Sequence, residues 1–469
     1  MKIGLIAMSG IRACDQELLD HGLTLPGFVE RSKSIASLPS LGLLTLAGMT
    51  PATHDVEYIE VEDIRNVDGL PGDFDLVAIS SFSAQIKEGY ELARRFVAAG
   101  TPVVMGGLHV TSVPDEARAV GAIPVVGEGE LVWQQILDDA ERGELAESYS
   151  SRGQQFDMAD APMPRFDLLD IGRYNRLTVQ TSRGCPWKCS FCASSILLTD
   201  RYKQKPVEKV LAEIDAIKEL WPRPFIEFAD DNSFVNREYW RRLLPELAKR
   251  HTRWFAETDL SVAEDMDLLR QMYDAGCKQI LIGFESPNEA GLDGIEMRRN
   301  WKRKQWPVYK ESIRRIQSNG IRVIACFVLG LDGQTTDVFD AVYDFAEDAA
   351  PFDVQITYVT PFPNTPLYMQ MKHQGRLTHD GQWDRCTLFD INFQPIGMTT
   401  TELRHGFFDL ATRLYSDSFT QYRHDRFHRQ VRAGLASFND GGLAMKDNAQ
   451  KSEVQSFDRR RRKKGLIKA

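Results

Sequence analysis

The stretch TSRGCPWKCSFCASS, residues 181–195, places three of the chain's seven cysteines within eight residues. Cys185, Cys189 and Cys192 follow the spacing C-x3-C-x2-C in a turn that also contains glycine and proline. The other four cysteines are isolated, and none has a partner at the spacing of metal ligands. Three kinds of site use such a group of thiols: a disulfide knot, a zinc site and an iron–sulfur site.

The cell compartment separates the first of these from the others. The N-terminal residues MKIGLIAMSG form a strand-like apolar run and lack the basic flank and small-residue cleavage site of a secretory signal. No run approaches the ~18 apolar residues of a membrane span. We therefore expect a soluble, cytoplasmic protein with reduced thiols, which argues against a disulfide knot.

The number of ligands separates zinc from iron. A structural zinc site usually takes four nitrogen or sulfur ligands from two paired clusters, whereas this chain offers one cluster. Three thiolates on one loop suit a cubane in which the protein holds three irons and one iron stays open, since cubanes otherwise take a cysteine at each iron. An open metal position is a catalytic one. The spacing thus favours an iron–sulfur enzyme over a structural zinc site.

The cysteine motif, with the aromatic Phe191 just before Cys192, resembles the cluster-binding motif of the radical S-adenosylmethionine (radical SAM) enzymes. The resemblance implies a [4Fe–4S] cluster held by the three cysteines. It also implies that the open iron binds S-adenosylmethionine, and that one electron from the cluster cleaves the sulfonium bond to give a 5′-deoxyadenosyl radical.

Apolar strand-like runs alternate with amphipathic segments over residues 177–377, a pattern that predicts repeated βα units around a parallel sheet. The runs are rich in Val, Ile and Leu, as expected for strands buried on both faces. They are LTVQTSRG, FIEFADD, RWFAETD, QILIGFES, RVIACFVLGL and VQITYVTPF. Six such units resemble the partial, TIM-like (βα)6 barrel of radical SAM enzymes rather than a closed eight-fold barrel.

Polar residues end these strands, where barrels of parallel strands hold their active sites. Helix capping is one interpretation for Asp231, since an Asp after a strand often caps the next helix. An acid directly behind QILIGF needs a cationic or hydrogen-bonding partner, which favours a ligand contact for Glu285. The residues after it, SPNEAGLDGIEM, depart from the family's small-residue turn. By the resemblance, the residues that bind S-adenosylmethionine are Phe191, Asp230, Asp231, Glu257, Glu285 and Gly330.

Residues 1–145 contain five further strand-like runs separated by helix-like segments, the pattern of a doubly wound, flavodoxin-like (Rossmann-like) domain. Such sheets bind ligands beyond the carboxyl ends of their strands. Neither G-x-G-x-x-G nor G-x-x-x-x-G-K-[ST] occurs, which argues against an ordinary dinucleotide or nucleoside triphosphate site. The candidate ligand contacts at these ends are Ser80, Ser81, Ser83, Gly106, Gly107, His109, Gly127, Glu128 and Gly129.

A flavodoxin-like domain directly before a radical SAM barrel resembles the cobalamin-binding subgroup of that superfamily over residues 1–377. The resemblance implies that the candidate contacts just given bind cobalamin. The D-x-H-x-x-G motif that supplies a histidine to cobalt elsewhere is absent, because Asp20, His21 and Gly22 are adjacent. We therefore expect cobalamin without a histidine lower ligand, and His109 near the corrin edge. A member that keeps the fold without the cofactor is the alternative.

The remaining segments have simpler patterns. Residues 146–176 are polar and irregular, which predicts a linker between the two domains. Residues 378–440 are mainly helical, and Leu403, Phe407 and Leu410 at helical spacing predict a buried face. Residues 441–469 include RRRRKK and predict a disordered basic tail. The formal net charge of −9 gives no overall basic surface for nucleic acid.

Together these features predict a cobalamin-dependent radical SAM enzyme, with methyl transfer to an unactivated carbon or phosphorus centre of a small molecule as the first hypothesis. The resemblance implies that the adenosyl radical abstracts hydrogen, that methylcobalamin delivers the methyl group, and that a flavodoxin or ferredoxin donates electrons. A radical cyclase or rearrangement enzyme is one alternative. A non-catalytic iron–sulfur or cobalamin sensor is the other, and the polar rim of the barrel disfavours it.

Overall fold

The structure is a computed structural model that describes residues 1–20, 22, 38–199 and 201–439. The predicted basic tail therefore lies outside the described residues. In the part of the chain that the structure describes, no helix combines the length and apolar character needed to cross a membrane.

A first parallel sheet forms from the N-terminal part of the chain. Its strands pair in the order β2-β1-β3-β4-β5-β6. β2 therefore lies on one side of β1, and the strands from β3 to β6 follow on the other side. The strands are β1 (Lys2–Met8), β2 (Asp55–Val61), β3 (Leu76–Ser80), β4 (Val103–Gly106), β5 (Ile123–Val126) and β6 (Tyr149–Ser150). The helices are α1 (Gln16–Asp20), α2 (Leu41–Met49), α3 (Ile86–Ala98), α4 (Leu108–Ser112), α5 (Pro114–Ala119) and α6 (Trp133–Arg142).

Both faces of this sheet are covered, as a doubly wound sheet requires. Leu5 and Ile6 are neighbours in β1 and fully buried, yet they belong to separate apolar clusters on opposite faces. This confirms the flavodoxin-like prediction. The structure differs from it in one respect, because β6 comes from residues that the sequence pattern assigned to the linker. A two-residue strand carries no detectable alternation.

A second parallel sheet forms the predicted partial barrel. Six strands pair in chain order from β7 to β14, which are the two edges of an open sheet, while β8 and β9 form a separate antiparallel pair. The strands are β7 (Leu177–Val179), β8 (Ser182–Arg183), β9 (Lys203–Gln204), β10 (Phe225–Phe228), β11 (Arg253–Thr258), β12 (Cys277–Glu285), β13 (Arg322–Leu329) and β14 (Asp353–Tyr358).

Helices cover the outside of the barrel. In β12, Ile280, Ile282 and Phe284 are buried in the core shared with these helices, so the alternate side chains face the barrel interior. The helices are α7 (Val207–Leu220), α8 (Arg237–Arg250), α9 (Met266–Asp274), α10 (Trp301–Gln305), α11 (Tyr309–Ser318), α12 (Val338–Ala349) and α13 (Pro366–His373).

The C-terminal segment is helical, as predicted, and joins both units. It contains α14 (Thr400–Leu414), which begins with a capping box between Thr399 and Glu402, and α15 (Asp417–Asn439). The apolar stripe of α14 is buried in the barrel core. Trp383, ahead of α14, is buried in an apolar cluster of the first unit. The segment therefore fixes the two units relative to each other.

Candidate active site

The cysteine loop begins and ends in one small antiparallel pair. Ser182 and Arg183 of β8 pair with Gln204 and Lys203 of β9, and the three cysteines lie between these strands. β7, just before the loop, is an edge strand of the barrel. The loop thus sits at the carboxyl end of a barrel strand, where the sequence pattern predicted it.

The three thiols are close enough to influence one another, and loss of solvent disfavours the thiolate form of Cys185 and Cys189. Loss of solvent raises the pKa of Cys185 to about 11 and that of Cys189 to about 12, and Cys192 raises both further. A cationic metal centre would remove this penalty by binding the thiolates. Three thiolates on one loop suit a polynuclear cluster, with each thiolate on a different iron.

Two predicted ligands of S-adenosylmethionine hold the cysteine loop. The Asp230 carboxylate is buried and accepts hydrogen bonds from the backbone N–H of Thr181, at 2.7 Å, and of Ser182, at 2.9 Å. Asp231 accepts from the N–H of Gly184 at 2.7 Å and from the Ser194 hydroxyl. Asp230 also accepts from hydroxyl groups, so its lone pairs are largely used. Both acids act as anchors of the loop.

A polar network behind Cys185 was not predicted from the sequence. The Asn232 side-chain amide donates to Cys185 Sγ at 3.7 Å and to Asp259 Oδ2 at 2.8 Å. The same Asp259 oxygen accepts from the Trp187 indole at 2.7 Å. Hydrogen bonds to a ligating sulfur orient it and tune the metal it holds. The only sequence signal was a polar residue at each strand end.

The insertion after Glu285 forms a strap against the cysteine loop. We call residues 293–304 the cluster strap. Ser190 N–H donates to Ile295 O at 2.9 Å, and Met297 N–H donates to Lys188 O at 3.0 Å, so the strap pairs with both neighbours of Cys189. The departure from the family's small-residue turn has a structural purpose, since it closes one side of the cluster site.

Glu285 has the cationic partner that its position demands. Lys302 Nζ, buried, lies 2.8 Å from Glu285 Oε1 and donates to Gly283 O at 2.6 Å. Burial alone would lower the pKa of Lys302, but the charge and hydrogen bond of Glu285, together with Cys189 and Tyr309, outweigh burial and raise it. Glu285 has a φ of 64° beside a register shift in β12, which turns its side chain toward the cysteine loop. Its proposed contact with S-adenosylmethionine stays a prediction.

The other predicted contacts of S-adenosylmethionine occupy different places. Glu257 lies in β11 on the open interior of the barrel. Phe191 is half-buried and packs against the barrel core beside Cys192. Gly330 has a φ of 91°, and a Cβ there would lie 2.7 Å from the Phe393 ring, so packing alone accounts for a glycine. These roles remain predictions.

The crevice beyond β1, β3 and β4 has the features of a binding site. Phe82, just after β3, is 57% exposed, and Ser9 Oγ, after β1, is buried without a hydrogen-bond partner. A Cβ at Gly106 would make only an ordinary contact, at 3.7 Å from Val125 Cβ, so packing within the protein does not require a glycine there. An exposed aromatic ring, an unpaired hydroxyl and a bare backbone fit a large, partly apolar cofactor. Ser80, Ser81 and Gly107 lie at the same edge.

His109 does not face this crevice. It is buried, with Nδ1 3.0 Å from Ser83 Oγ and Nε2 3.3 Å from Glu116 Oε2, and its ring lies edge-on to Trp383 at 5.3 Å. His109 and Ser83 therefore join the first unit to the C-terminal segment. Both ring nitrogens of His109 therefore have partners within the protein, and its contact with the corrin edge stays a prediction.

Glu128 connects the first unit to the cysteine loop. Its Oε1 lies 2.8 Å from Arg183 Nη1 and also pairs with Lys203, while Arg183 Nη2 lies 2.8 Å from Glu130 Oε1. All four side chains are largely buried. We call these four residues the interdomain clamp. Its two cations flank the cysteine loop in β8 and β9, so the clamp holds that loop at the carboxyl end of β5.

The two glycines on either side of Glu128 differ in how tightly the protein surrounds them. Gly127 has a φ of 93°, and a Cβ there would lie 2.5 Å from Ser151 Oγ. Gly129 has more space, with only the Leu46 side chain at 4.0 Å from a Cβ. The sequence correctly placed this turn at the carboxyl edge of the sheet, but it could not reveal that Glu128 is engaged with the barrel.

Comparison with known proteins agrees with this geometry. Residues 179–346 match the Radical SAM superfamily, and residues 365–459 match a domain of unknown function, DUF4070. An uncharacterized methyltransferase of Synechocystis is 30% identical over 384 residues, which cover 80% of this chain and 70% of that protein. Bacteriochlorophyllide d C-12(1)-methyltransferase of Chlorobaculum tepidum is 28% identical over 393 residues, covering 81% and 83%.

A third relative and a solved structure complete the comparison. Anaerobic magnesium-protoporphyrin IX monomethyl ester cyclase of Cereibacter sphaeroides is 27% identical over 344 residues, 66% of this chain and 55% of that protein. The structure of the radical S-adenosylmethionine methyltransferase TsrM of Kitasatospora setae, with cobalamin and a [4Fe–4S] cluster bound, superposes with a TM-score of 0.66 at 14% identity, covering 93% and 99%. The chain has the same two-unit fold, and it belongs to the radical SAM superfamily.

Proposed function

We propose that the protein is a cobalamin-dependent radical SAM methyltransferase that acts on an unactivated carbon or phosphorus centre of a small molecule. The interdomain clamp is the observation that carries this proposal. It joins the carboxyl edges of the two sheets, so the cysteine loop and the crevice of the first unit lie on facing surfaces. A reaction that needs both cofactors at one substrate requires this arrangement.

The chain's own residues would divide the work as follows. Cys185, Cys189 and Cys192 hold the cluster, while Asp230 and Asp231 fix the loop that carries them. The crevice beside Gly106 admits the corrin. When bound, the cluster supplies the electron that cleaves S-adenosylmethionine, and cobalamin supplies the methyl group. Protein side chains orient these groups.

The names of the relatives favour methyl transfer, because two of them are called methyltransferases. A radical cyclase without methyl transfer is the second candidate, since another relative is named a cyclase. The two reactions differ in what becomes of a second molecule of S-adenosylmethionine. Methyl transfer consumes it as a methyl donor, whereas a cyclase does not.

The cluster is tested first. Anaerobically reconstituted protein should hold one [4Fe–4S] cluster, and Ala at Cys185, Cys189 or Cys192 should abolish both the cluster spectrum and reductive formation of 5′-deoxyadenosine. Cys14→Ala, at an exposed cysteine outside the loop, is the matched control. A protein of full activity that contains zinc and no iron would overturn the proposal.

Cobalamin is tested by retention through gel filtration. Wild-type protein should retain added hydroxocobalamin with a spectrum that lacks a histidine ligand, and Gly106→Val should weaken retention because the side chain fills the crevice. Gly42→Val is the control, since a Cβ at Gly42 meets no atom within 4 Å. If the wild-type protein retains no cobalamin, the cyclase becomes the favoured candidate.

Methyl transfer is tested by isotope. With methyl-deuterated S-adenosylmethionine and reductant, the label should appear on protein-bound cobalamin, together with S-adenosylhomocysteine. With the true substrate, the label should reach product, and S-adenosylhomocysteine and 5′-deoxyadenosine should form in roughly equal amounts. Deoxyadenosine formed without S-adenosylhomocysteine or label would rule out methyl transfer and favour the cyclase.

A further inference from the structure

We propose that the outer face of the cluster strap is the docking surface for a small acidic electron-carrier protein of the flavodoxin or ferredoxin class. The inference rests on the proposed function, because reductive cleavage of S-adenosylmethionine requires electrons delivered one at a time to the cluster. It is carried by three observations on the strap: its charge, its shape and its contact with the cysteine loop.

The strap is basic on a protein that is acidic overall. Residues 293–304 contain five Lys and Arg and two Asp and Glu, whereas the whole chain has a net charge of −9. Arg298, Arg299 and Lys304 are exposed, and none of them forms an ion pair with any residue in the described ranges. Arg303, by contrast, is neutralised by Glu289 and Asp293. An acidic partner is therefore repelled by most of the surface and attracted here.

The shape of this face suits a protein partner. An open cavity of about 730 Å³ is lined by the strap, including Arg298, Arg299 and Lys304. Met297 lines it too and is 48% exposed. An exposed apolar side chain bordered by unpaired cations is the usual composition of a docking site, with an apolar centre and a charged rim. Methionine adapts its shape to different partners.

The strap also lies between the protein surface and the cluster site. Its residues Ile295 and Met297 hydrogen-bond the backbone on both sides of Cys189, and Cys189 itself forms an isolated bridge with Glu296. Cys189 is the one buried cysteine of the three. A carrier on the outer face would therefore be separated from the sulfur of Cys189 by the thickness of one chain segment.

The electron balance is simple. A flavodoxin hydroquinone loses one electron and becomes the semiquinone, and the oxidised cluster gains that electron. No other oxidant or reductant is needed. The docking surface contributes by raising the rate of productive encounter, which charge steering increases by about tenfold or more at low ionic strength.

The test compares two reductants by stopped-flow absorbance of the reconstituted cluster. Arg298→Glu/Arg299→Glu should slow cluster reduction by reduced flavodoxin about tenfold or more at low salt, and raised salt should slow the wild type toward the variant. Reduction by photoreduced 5-deazariboflavin, a small uncharged donor, should be equally fast in both. Flavodoxin affinity of the cluster-free protein, measured by calorimetry, should fall in parallel.

The control reverses the same amount of charge elsewhere. Arg94 in α3 and Arg242 in α8 are exposed and distant in sequence from the strap, and Arg94→Glu/Arg242→Glu should behave as wild type. Equal slowing in both double variants, or none in the strap variant, would overturn the docking surface. Failure of the deazaflavin to reduce any cluster would instead overturn the proposed function, while the calorimetry would still test the surface.

Discussion

The Glu257 side chain lies on the open interior wall of the barrel and forms no hydrogen bond or ion pair with any residue that the structure describes. Enclosure within the barrel raises its pKa to about 8 although solvent still reaches the side chain, and the nearby carboxylates Glu227, Asp231 and Asp230 raise it further. Arg176 lowers it, but that guanidinium is paired with Glu227. Acids of such altered pKa are common where substrates bind. Glu257 is therefore poised to hold a proton at neutral pH.

This shift gives a dependence of stability on pH. An unfolded glutamate titrates near pH 4.3, whereas Glu257 in the folded protein keeps its proton to about pH 8. Between these values the folded state binds the extra proton, so its contribution to stability falls as pH rises and is lost above about pH 8. Glu257→Gln should remove this dependence. The variant should gain thermal stability over wild type at pH 8 and gain less at pH 5.5.

The measurement is thermal unfolding of the metal-free proteins at both pH values. Glu219→Gln, at an exposed position of α7, supplies the control and should track wild type. A difference between Glu257→Gln and wild type that is the same at both pH values would mean that Glu257 is already ionised in the folded protein.

The buried ion pair of Glu285 and Lys302 should contribute to the stability of the folded protein. Removing one partner of a buried ion pair leaves the other uncompensated, at a cost of about 3–5 kcal/mol. Glu285→Gln should therefore lower the free energy of unfolding by about that amount. Glu285→Gln/Lys302→Met should recover part of the loss, because no buried charge remains. Denaturant unfolding of both variants measures this, and a double variant no more stable than the single one would contradict it.

Among the elements, the strands could be predicted from the sequence and the links between them could not. Most of the barrel strands, together with β1 and β3 to β5, are apolar runs because most of their residues are buried. The edge strand β2 instead alternates, with Asp55 and Glu57 exposed. The contacts of Asp230, Glu128 and His109 depend on residues far away in the chain, and one sequence does not reveal such partners. A polar residue at a strand end was therefore interpreted as a ligand contact, and the structure adds that these three residues also hold the loop or join the units.

The cluster strap depends on one buried acid, Glu296. Glu296 accepts from the backbone N–H of Arg299 at 2.7 Å, of Arg298 at 3.1 Å and of Lys188 at 3.3 Å, so one carboxylate ties the strap to the cysteine loop. Glu296→Ala leaves these donors unpaired and should loosen the loop. We expect less iron per chain after reconstitution and faster hydrogen exchange over residues 185–192, with circular dichroism unchanged.

Glu289→Ala is the matched control for this experiment. Glu289 is near the strap but pairs only at the surface with Arg303, and an exposed pair contributes little. Its iron content and exchange over the same residues should match wild type. Normal iron content and exchange in Glu296→Ala would show that the backbone pairing of the strap is sufficient.

In the whole molecule, several contacts set the relation between the units, among them the Asn364 amide, which donates to Ser112 O, and the two contacts described next. The interdomain clamp joins the cysteine loop to β5, and the C-terminal segment packs Trp383 against the first unit, where its indole donates to Glu116 Oε1 at 2.8 Å. The sequence indicated two domains in the right order, but their relative placement depends on these side chains. Geometry between two cofactors is decided at this scale, because small displacements of reacting groups cost large factors in rate.

Arg183→Gln tests the clamp. The change leaves Glu130 without its cation and Glu128 with Lys203 alone, and breaking a buried pair costs about 3–5 kcal/mol. Because the clamp lies between the units, we expect its loss to open the contact between them rather than to unfold either unit. Hydrogen exchange should rise over residues 123–131 and 182–204, and the radius of gyration from small-angle X-ray scattering should increase. Arg142→Gln, at an exposed pair in the first unit, should change neither. If the clamp keeps the two cofactors at the right separation, Arg183→Gln should still retain cobalamin and the cluster and should still form 5′-deoxyadenosine. Less of the methyl label should then reach the product. Unchanged exchange and scattering would show that the remaining contacts between the units, among them the C-terminal segment, hold them together without the clamp.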